Sequence, residues 1–377
     1  MSSSPVDVYA TLGINRVINA MGNVTLLGGS SLSPAVQAAM EAANRYYAPL
    51  EEVLDKTGEA IAGMLGAEGA FVTSGCFAAL VLGLAGIMTE GDPERVARLP
   101  DTTGMKNEFL LQTKMRYHYD RCISVPGGRL VEVGDDQGTT GAQLAAAIGP
   151  KTAGVFYFAR AERTPGILPL AEVIEIAHAH GLPVIVDAAS ELYPVERMTR
   201  LAASGADLIC FGAKYLGAQN SAGILCGKRA WVDAARANHF VSYESRRNRA
   251  IGRGYKLDRQ EVIGVTVALK EWLAMDHEER LQRDAERIER ISGALADLPH
   301  VQTRTEWNPE RDAWMQLRIA LDPQQPKTPQ SVTDALRSGE PSIWVRPLDG
   351  ELNIMVNTLT DEEVAIVADR LRAVLAS

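Results

Sequence analysis

Several classes of protein are excluded by what this sequence lacks. It has 4 cysteines in 377 residues. Cys76, Cys122, Cys210 and Cys226 form no C-x-x-C pair and show no zinc-ligand spacing with a histidine, which excludes a disulfide scaffold and a zinc-finger type of site. Cys210 and Cys226 lie in apolar runs and read as small buried hydrophobes. There is no basic surplus. Lys and Arg total 38 against 47 Asp and Glu, a net charge of −9, which repels a phosphate backbone and argues against a nucleic-acid partner. No apolar run reaches the roughly 20 residues of a membrane-spanning helix; the run Gly75 to Met88 is too short. Met1-Ser2-Ser3-Ser4-Pro5 has neither the basic nor the apolar part of a secretory signal. The expectation is a cytoplasmic protein with no membrane partner. Internal repeats and low-complexity stretches are also missing.

What is present is an ordinary globular composition, 46% hydrophobic, in a chain long enough for two domains. Residues 1–30 read as an irregular arm with an apolar patch at Val17-Ile18-Asn19-Ala20. Ser33-Pro34 marks a helix start. From about residue 70 short apolar strands alternate with helices: Ala70 to Thr73, Glu108 to Gln112, Arg129 to Val133, Thr152 to Phe158, Val184 to Asp187, Asp207 to Phe211 and Ala222 to Cys226. Near-continuous apolar strands between helices predict a mixed, mostly parallel sheet covered on both faces. After residue 245 the chain becomes basic and Gly-interrupted, then helical, then strand-rich at Gln316 to Ala320 and Leu352 to Val356. It ends in an amphipathic helix. The fold class expected is α/β, a large domain at 31–245 followed by an interdomain helix and a small C-terminal α+β domain at 246–377.

Three local features carry chemistry. Val184-Ile185-Val186-Asp187 is a strand ending in a carboxylate, and ligands in open α/β sheets bind beyond the carboxyl ends of the strands. An aspartate there can pair with a pyridinium nitrogen; alone, it is as readily a turn cap. Phe211-Gly212-Ala213-Lys214-Tyr215-Leu216-Gly217 places a lysine after a buried strand and between glycines. Desolvation there lowers the amine pKa and favours Schiff-base chemistry. Thr73-Ser74-Gly75-Cys76 joins a strand to a helix, and free N–H groups at a helix start suit a phosphate. The ordinary alternative is a plain N-cap.

Together these features resemble the selenocysteine-synthase-like branch of fold-type I pyridoxal-phosphate (PLP) enzymes, which includes seryl-tRNA selenium transferase and D-glucosaminate-6-phosphate ammonia lyase. The resemblance extends through Asn19-Ala20-Met21-Gly22-Asn23 to Ser30, Asp187-Ala188-Ala189-Ser190-Glu191-Leu192-Tyr193-Pro194, Gln219 to Gly227, and Ile251-Gly252-Arg253-Gly254-Tyr255-Lys256 to Glu261. It implies that Lys214 carries PLP as a Schiff base and acts as general base, and that Asp187 pairs with the pyridinium. Ser74, Gly75 and Cys76 would bind phosphate. It also implies a homodimer or higher homo-oligomer with shared active sites, in which Arg253, and with it Lys256, reaches the phosphate from the neighbouring subunit. The segment Lys114 to Arg121 lies where such enzymes place a side chain over the cofactor ring. Arg116, Tyr117 and His118 all qualify, with His118 a cofactor candidate and Arg116 also a substrate candidate. Arg346 is a candidate for a substrate carboxylate, with Arg160 and Arg163 as alternatives. Two positions depart from the family pattern: Gly212 stands where Ser is usual, and Ala218 where Pro is usual. The expected reaction is α-proton abstraction and β-elimination with ammonia release from an amino acid or amino-sugar acid. Racemisation or epimerisation, aldol cleavage and transamination share its first step. Selenium transfer on seryl-tRNA and a non-catalytic PLP-binding role complete the alternatives.

Overall fold

The computed structural model describes residues 8–310, 312–324 and 326–377. The chain divides into two compact units, one of residues 31–274 and one that joins the N-terminal segment before Ser31 to residues 275–377. The smaller unit supplies β1 (Val17–Asn19). The larger holds β2 (Gly69–Thr73), β3 (Glu108–Gln112), β4 (Arg129–Val133), β5 (Thr152–Phe158), β6 (Val184–Asp187), β7 (Leu208–Gly212) and β8 (Gly223–Gly227). The smaller unit resumes with β9 (Val301–Glu306), β10 (Gln316–Leu321), β11 (Ser342–Trp344), β12 (Arg346–Leu348) and β13 (Glu351–Met355).

In the larger unit seven strands form one sheet in the order β2-β8-β7-β6-β5-β3-β4. From β4 to β7 every pairing is parallel. β8 runs antiparallel to both β7 and β2. Because β8 alone is reversed, the carboxyl ends of β2, β3, β5, β6 and β7 share one edge. Strands β2, β6, β7 and β8 are buried at every residue, as their near-continuous apolar sequences require. Cys210 and Cys226 are among them, packed as small hydrophobes.

The apolar run at Gly75 to Met88 forms the helix Cys76–Thr89, buried from Ala78 onward. Two glycines let it pack closely, Gly83 against the sheet and Gly86 against the helix Arg229–Ala237. A Cβ on Gly83 would lie 2.6 Å from Ile185 Cδ1, and one on Gly86 would lie 2.6 Å from the Ala235 backbone nitrogen. Backbone cannot retreat as a side-chain tip can. Gly86→Ala is therefore expected to destabilise the protein by about 1–3 kcal/mol through overpacking, despite the better helix propensity of alanine. A denaturant midpoint equal to or above wild type would contradict this packing. Among the described residues no helix is long and apolar enough to cross a membrane.

The smaller unit pairs β1 with β11 in parallel and stacks a four-stranded antiparallel sheet in the order β12-β13-β10-β9. Its helices His277–Leu295, Pro329–Ser338 and Asp361–Ala376 close a core of Ile288, Ile291, Leu317, Ile319, Leu352, Ile354, Val364 and Leu371. The patch read as part of an irregular arm is thus a strand: Ile18 and Ala20 are buried in this core, which ties the segment down.

Candidate active site

Asp187 closes β6 and is 3% exposed. Its two oxygens have different partners. Oδ1 accepts the Ala189 N–H at 3.0 Å and the Cys76 thiol at 3.6 Å. Oδ2 accepts the Tyr117 hydroxyl. Burial pushes the carboxyl pKa up, and hydrogen bonds from Tyr117, Ala189 and Cys76 pull it down. The donors stay protonated, since burial and then the Asp187 charge raise both Tyr117 and Cys76. Burial wins, so the net shift is upward, and three donors hold the carboxyl group in one orientation.

Lys214 lies one residue into the short 3-10 turn that follows β7, Ala213–Leu216. Parallel pairing of β6 with β7 sets Asp187 opposite Cys210, so Lys214 emerges at the edge where Asp187 sits. The lysine is half-buried, its Nζ is 5.0 Å from the centre of the Tyr215 ring, and desolvation lowers its pKa. Gly212 also finds its reason here. A Cβ at that position would meet the Ala189 carbonyl oxygen at 3.0 Å and the Tyr215 ring at 3.1 Å. Tyr215 thus occupies space that a serine at 212 would need.

The turn after β2 is the third component. The Ser74 hydroxyl is buried and has no hydrogen-bond partner. Gly75 adopts φ +88°, a conformation natural to glycine, and its N–H is used by the Thr73 carbonyl. Gly75 therefore supplies shape. The donors at this turn are Ser74 Oγ and the first-turn N–H groups of the helix that begins at Cys76, which have no intrahelical acceptor. Gly223 lets β8 run against the turn, since a Cβ there would lie 2.5 Å from the Gly75 carbonyl carbon. A buried orphan hydroxyl beside free helix N–H groups fits a phosphate. A fixed carboxylate and a desolvated amine fit a pyridine nitrogen and an aldehyde carbon.

Of the three candidates in the Lys114–Arg121 segment, Tyr117 reaches the site. Its ring stacks on Phe158 at 4.0 Å and 10°, and Phe158 is the register partner of Asp187 across β5 and β6. His118 is exposed and packs edge-on to Tyr119. Arg116 is held by Asp120 at 2.5 Å and by Glu132. Arg253 pairs with Glu244. Arg346 opens β12 in the smaller unit, exposed and in register with Asn353. Arg160 was a candidate, but the ionic group around it beyond the ends of β5 and β6 was missed: Glu191 pairs with Arg160 and Arg197, and Arg197 with Glu162. Glu191 lies inside a run already noted for its resemblance, but nothing in its spacing to residue 160 announces the contact.

The fold is that of a fold-type I PLP-dependent enzyme. The chain belongs to the class-V aminotransferase family, whose model matches residues 129–326. It is 30% identical to D-glucosaminate-6-phosphate ammonia lyase of Salmonella typhimurium, over 98% of each protein. It is 31% identical to 5'-C-glycyluridine monooxygenase-decarboxylase of Streptomyces sp, over 97% of this chain and 92% of that one. An L-seryl-tRNA(Sec) selenium transferase of Nitratidesulfovibrio vulgaris is 26% identical over 96% of this chain. The solved D-glucosaminate-6-phosphate ammonia-lyase matches with a TM-score of 0.85 over 99% of both chains, at 29% identity. A Sphingomonas wittichii serine palmitoyltransferase matches over 95% of this chain and 87% of its own, with a TM-score of 0.58 at 14% identity, a likeness of fold alone.

Proposed function

We propose that the protein is a PLP-dependent lyase that removes the α-proton of an amino acid or amino-sugar acid and expels a β-substituent, with release of ammonia. The observation that carries this reading is the meeting, at one sheet edge, of the oriented Asp187 carboxylate and the desolvated Lys214 amine, beside the donor-rich turn at Ser74 to Cys76. When bound, PLP supplies an electron sink for the electron pair left on the substrate's α carbon.

The chain's own groups divide the remaining work. The Asp187 carboxyl group would hold the proton of the pyridine nitrogen, with Oδ1 fixed by the Ala189 N–H and Cys76 and Oδ2 by the Tyr117 hydroxyl. Ser74 Oγ and the N–H groups from Cys76 onward would hold the phosphate, and Tyr117, stacked on Phe158 with its hydroxyl on Asp187, would flank the ring. Lys214 Nζ takes the α-proton, because burial favours its neutral, basic form. In a homodimer with shared sites Arg253 would exchange Glu244 for the neighbour's phosphate. Four unpaired cysteines suit a reducing, cytoplasmic compartment.

A screen of D- and L-β-hydroxy amino acids and aminosugar acids tests the reaction. Ammonia and keto acid in equal amounts, with α-proton exchange, are the expected result. Exchange without ammonia would replace the lyase reading by a racemase or epimerase. The similarity to a monooxygenase-decarboxylase supports a second reading, and oxygen uptake with carbon dioxide release would favour it. Tight, salt-sensitive binding of tRNA would favour selenium transfer, against a net charge of −9.

A further inference from the structure

We infer that Tyr117 keeps the bound pyridine ring protonated, by donating its hydroxyl to the one Asp187 oxygen that has an acceptor site to spare. The inference rests on the PLP-enzyme reading of the Asp187–Lys214 edge and assigns a positioning residue within it.

An ionised carboxylate offers about four acceptor sites, two on each oxygen. On Asp187 Oδ1 both are taken, by the Ala189 N–H at 3.0 Å and the Cys76 thiol at 3.6 Å. On Oδ2 one is taken, by the Tyr117 hydroxyl. The place left for a pyridinium N–H is the second site of Oδ2, beside the phenol. Cys76 also points its thiol at the Cys210 carbonyl, 3.3 Å away, so its hold on Asp187 is divided. Tyr117 is the undivided side-chain donor.

The phenol is aimed by contacts that leave its hydroxyl unused. The ring stacks on Phe158 at 4.0 Å and 10°, and Phe158 is the register partner of Asp187. The Tyr117 N–H donates to Asp120 Oδ2 at 3.2 Å, and the same oxygen accepts Arg116 Nε at 2.5 Å. Main chain and ring are thus fixed independently, and the hydroxyl meets Asp187 without a search.

A proton shared by a carboxylate and a pyridine nitrogen goes to the stronger base. Burial strengthens Asp187 as a base by penalising its charge, and Tyr117 comes first among the donors that oppose this. The other ionisable groups around Asp187 do not supply that opposition. Cys122 and Cys210 are thiols kept neutral by burial, the Tyr215 phenol is raised likewise, and Glu191 pushes the Asp187 pKa further up. Tyr117 itself stays protonated, so it is a donor throughout. An ionised Asp187 leaves the proton on the ring, where it strengthens the electron sink.

The test reads the proton directly. Apoprotein is loaded with PLP isotopically labelled at the ring nitrogen, and the nitrogen shift is measured by NMR. Asp187→Asn, whose amide cannot hold the proton, supplies the unprotonated reference. Wild type should lie at the protonated position. Tyr117→Phe keeps the ring that stacks on Phe158 and removes only the donor. Its ring nitrogen should move toward the Asp187→Asn position, the balance of the shared proton changing by about 10- to 100-fold, the worth of one hydrogen bond to a charged group. Turnover should fall by a similar factor while KM changes less. PLP affinity, titrated by absorbance, should be unchanged or weaker. para-Aminophenylalanine at position 117, a weaker donor of the same shape, should give an intermediate shift, and it carries the test if Tyr117→Phe fails to fold. Wild-type protonation of the ring in both variants would overturn the inference. So would tighter PLP binding by Tyr117→Phe, the sign of a phenol that competes with the ring for Asp187. Failure of the cofactor reading has a different signature: wild type would show no visible cofactor absorbance, and the inference would fall with it.

Discussion

Lys214→Ala is expected to abolish turnover and to remove the visible absorbance of lysine-bound PLP. Loss of the general base alone takes away about two to four orders of magnitude, and loss of the covalent link adds to it. The same variant has a second, independent consequence for the apoprotein. Burial holds the Lys214 pKa below its ordinary value, so the unfolded chain binds more protons than the folded one between that depressed value and about 10.4. Stability therefore rises with pH across that window, and the cost of burying the ammonium is present in full below it. Lys214→Ala removes both the slope and the cost. Denaturant midpoints of the apoprotein should be higher for the variant at neutral pH and converge with wild type above about pH 10.4. A lower midpoint for the variant at neutral pH would show that the lysine is held as a stabilised cation, contrary to its role as a base.

Asp187→Ala is expected to weaken cofactor binding by two to four orders of magnitude. The basis is the loss of one partner from a buried charged pair, about 3–5 kcal/mol. The variant also leaves the Tyr117 hydroxyl without its Asp187 acceptor, while the Cys76 thiol keeps the Cys210 carbonyl at 3.3 Å. Asp187→Asn keeps the shape and the contact with the Ala189 N–H, but an amide cannot hold the pyridine proton. Its cofactor affinity should fall less than its turnover. Titration of apoprotein with PLP, followed by absorbance, separates the two variants. Binding of PLP by Asp187→Ala within threefold of wild type would remove Asp187 from the cofactor site.

Much of this edge is legible in the sequence, for a physical reason. Strands buried on both faces must be apolar along their whole length, so β6 to β8 stand out, and a charged residue at the end of such a strand is conspicuous. Asp187 and Lys214 were found in that way. The helix after Gly75 was legible because a run with no polar face is either buried or in a membrane. Other features depend on strand order, which local sequence does not encode. Tyr117 was one of three candidates until β3 and β5 were placed side by side, bringing its ring onto Phe158. The Arg160–Glu191 pair likewise needs β5 beside β6. The strand at Val17–Asn19 is three residues long and gains its meaning only from its distant partner Ser342–Trp344. Gly212, a departure from the family pattern, became intelligible once the Tyr215 ring was seen to fill the space beside it.

The most direct test is chemical. Purified holoenzyme is reduced with borohydride, digested, and the peptides are weighed by mass spectrometry. The cofactor mass should be found on the peptide that contains Lys214, and on no other lysine. Attachment at a different lysine, or a reduced protein carrying no added mass, would contradict the assignment of Lys214 and the mechanism built on it.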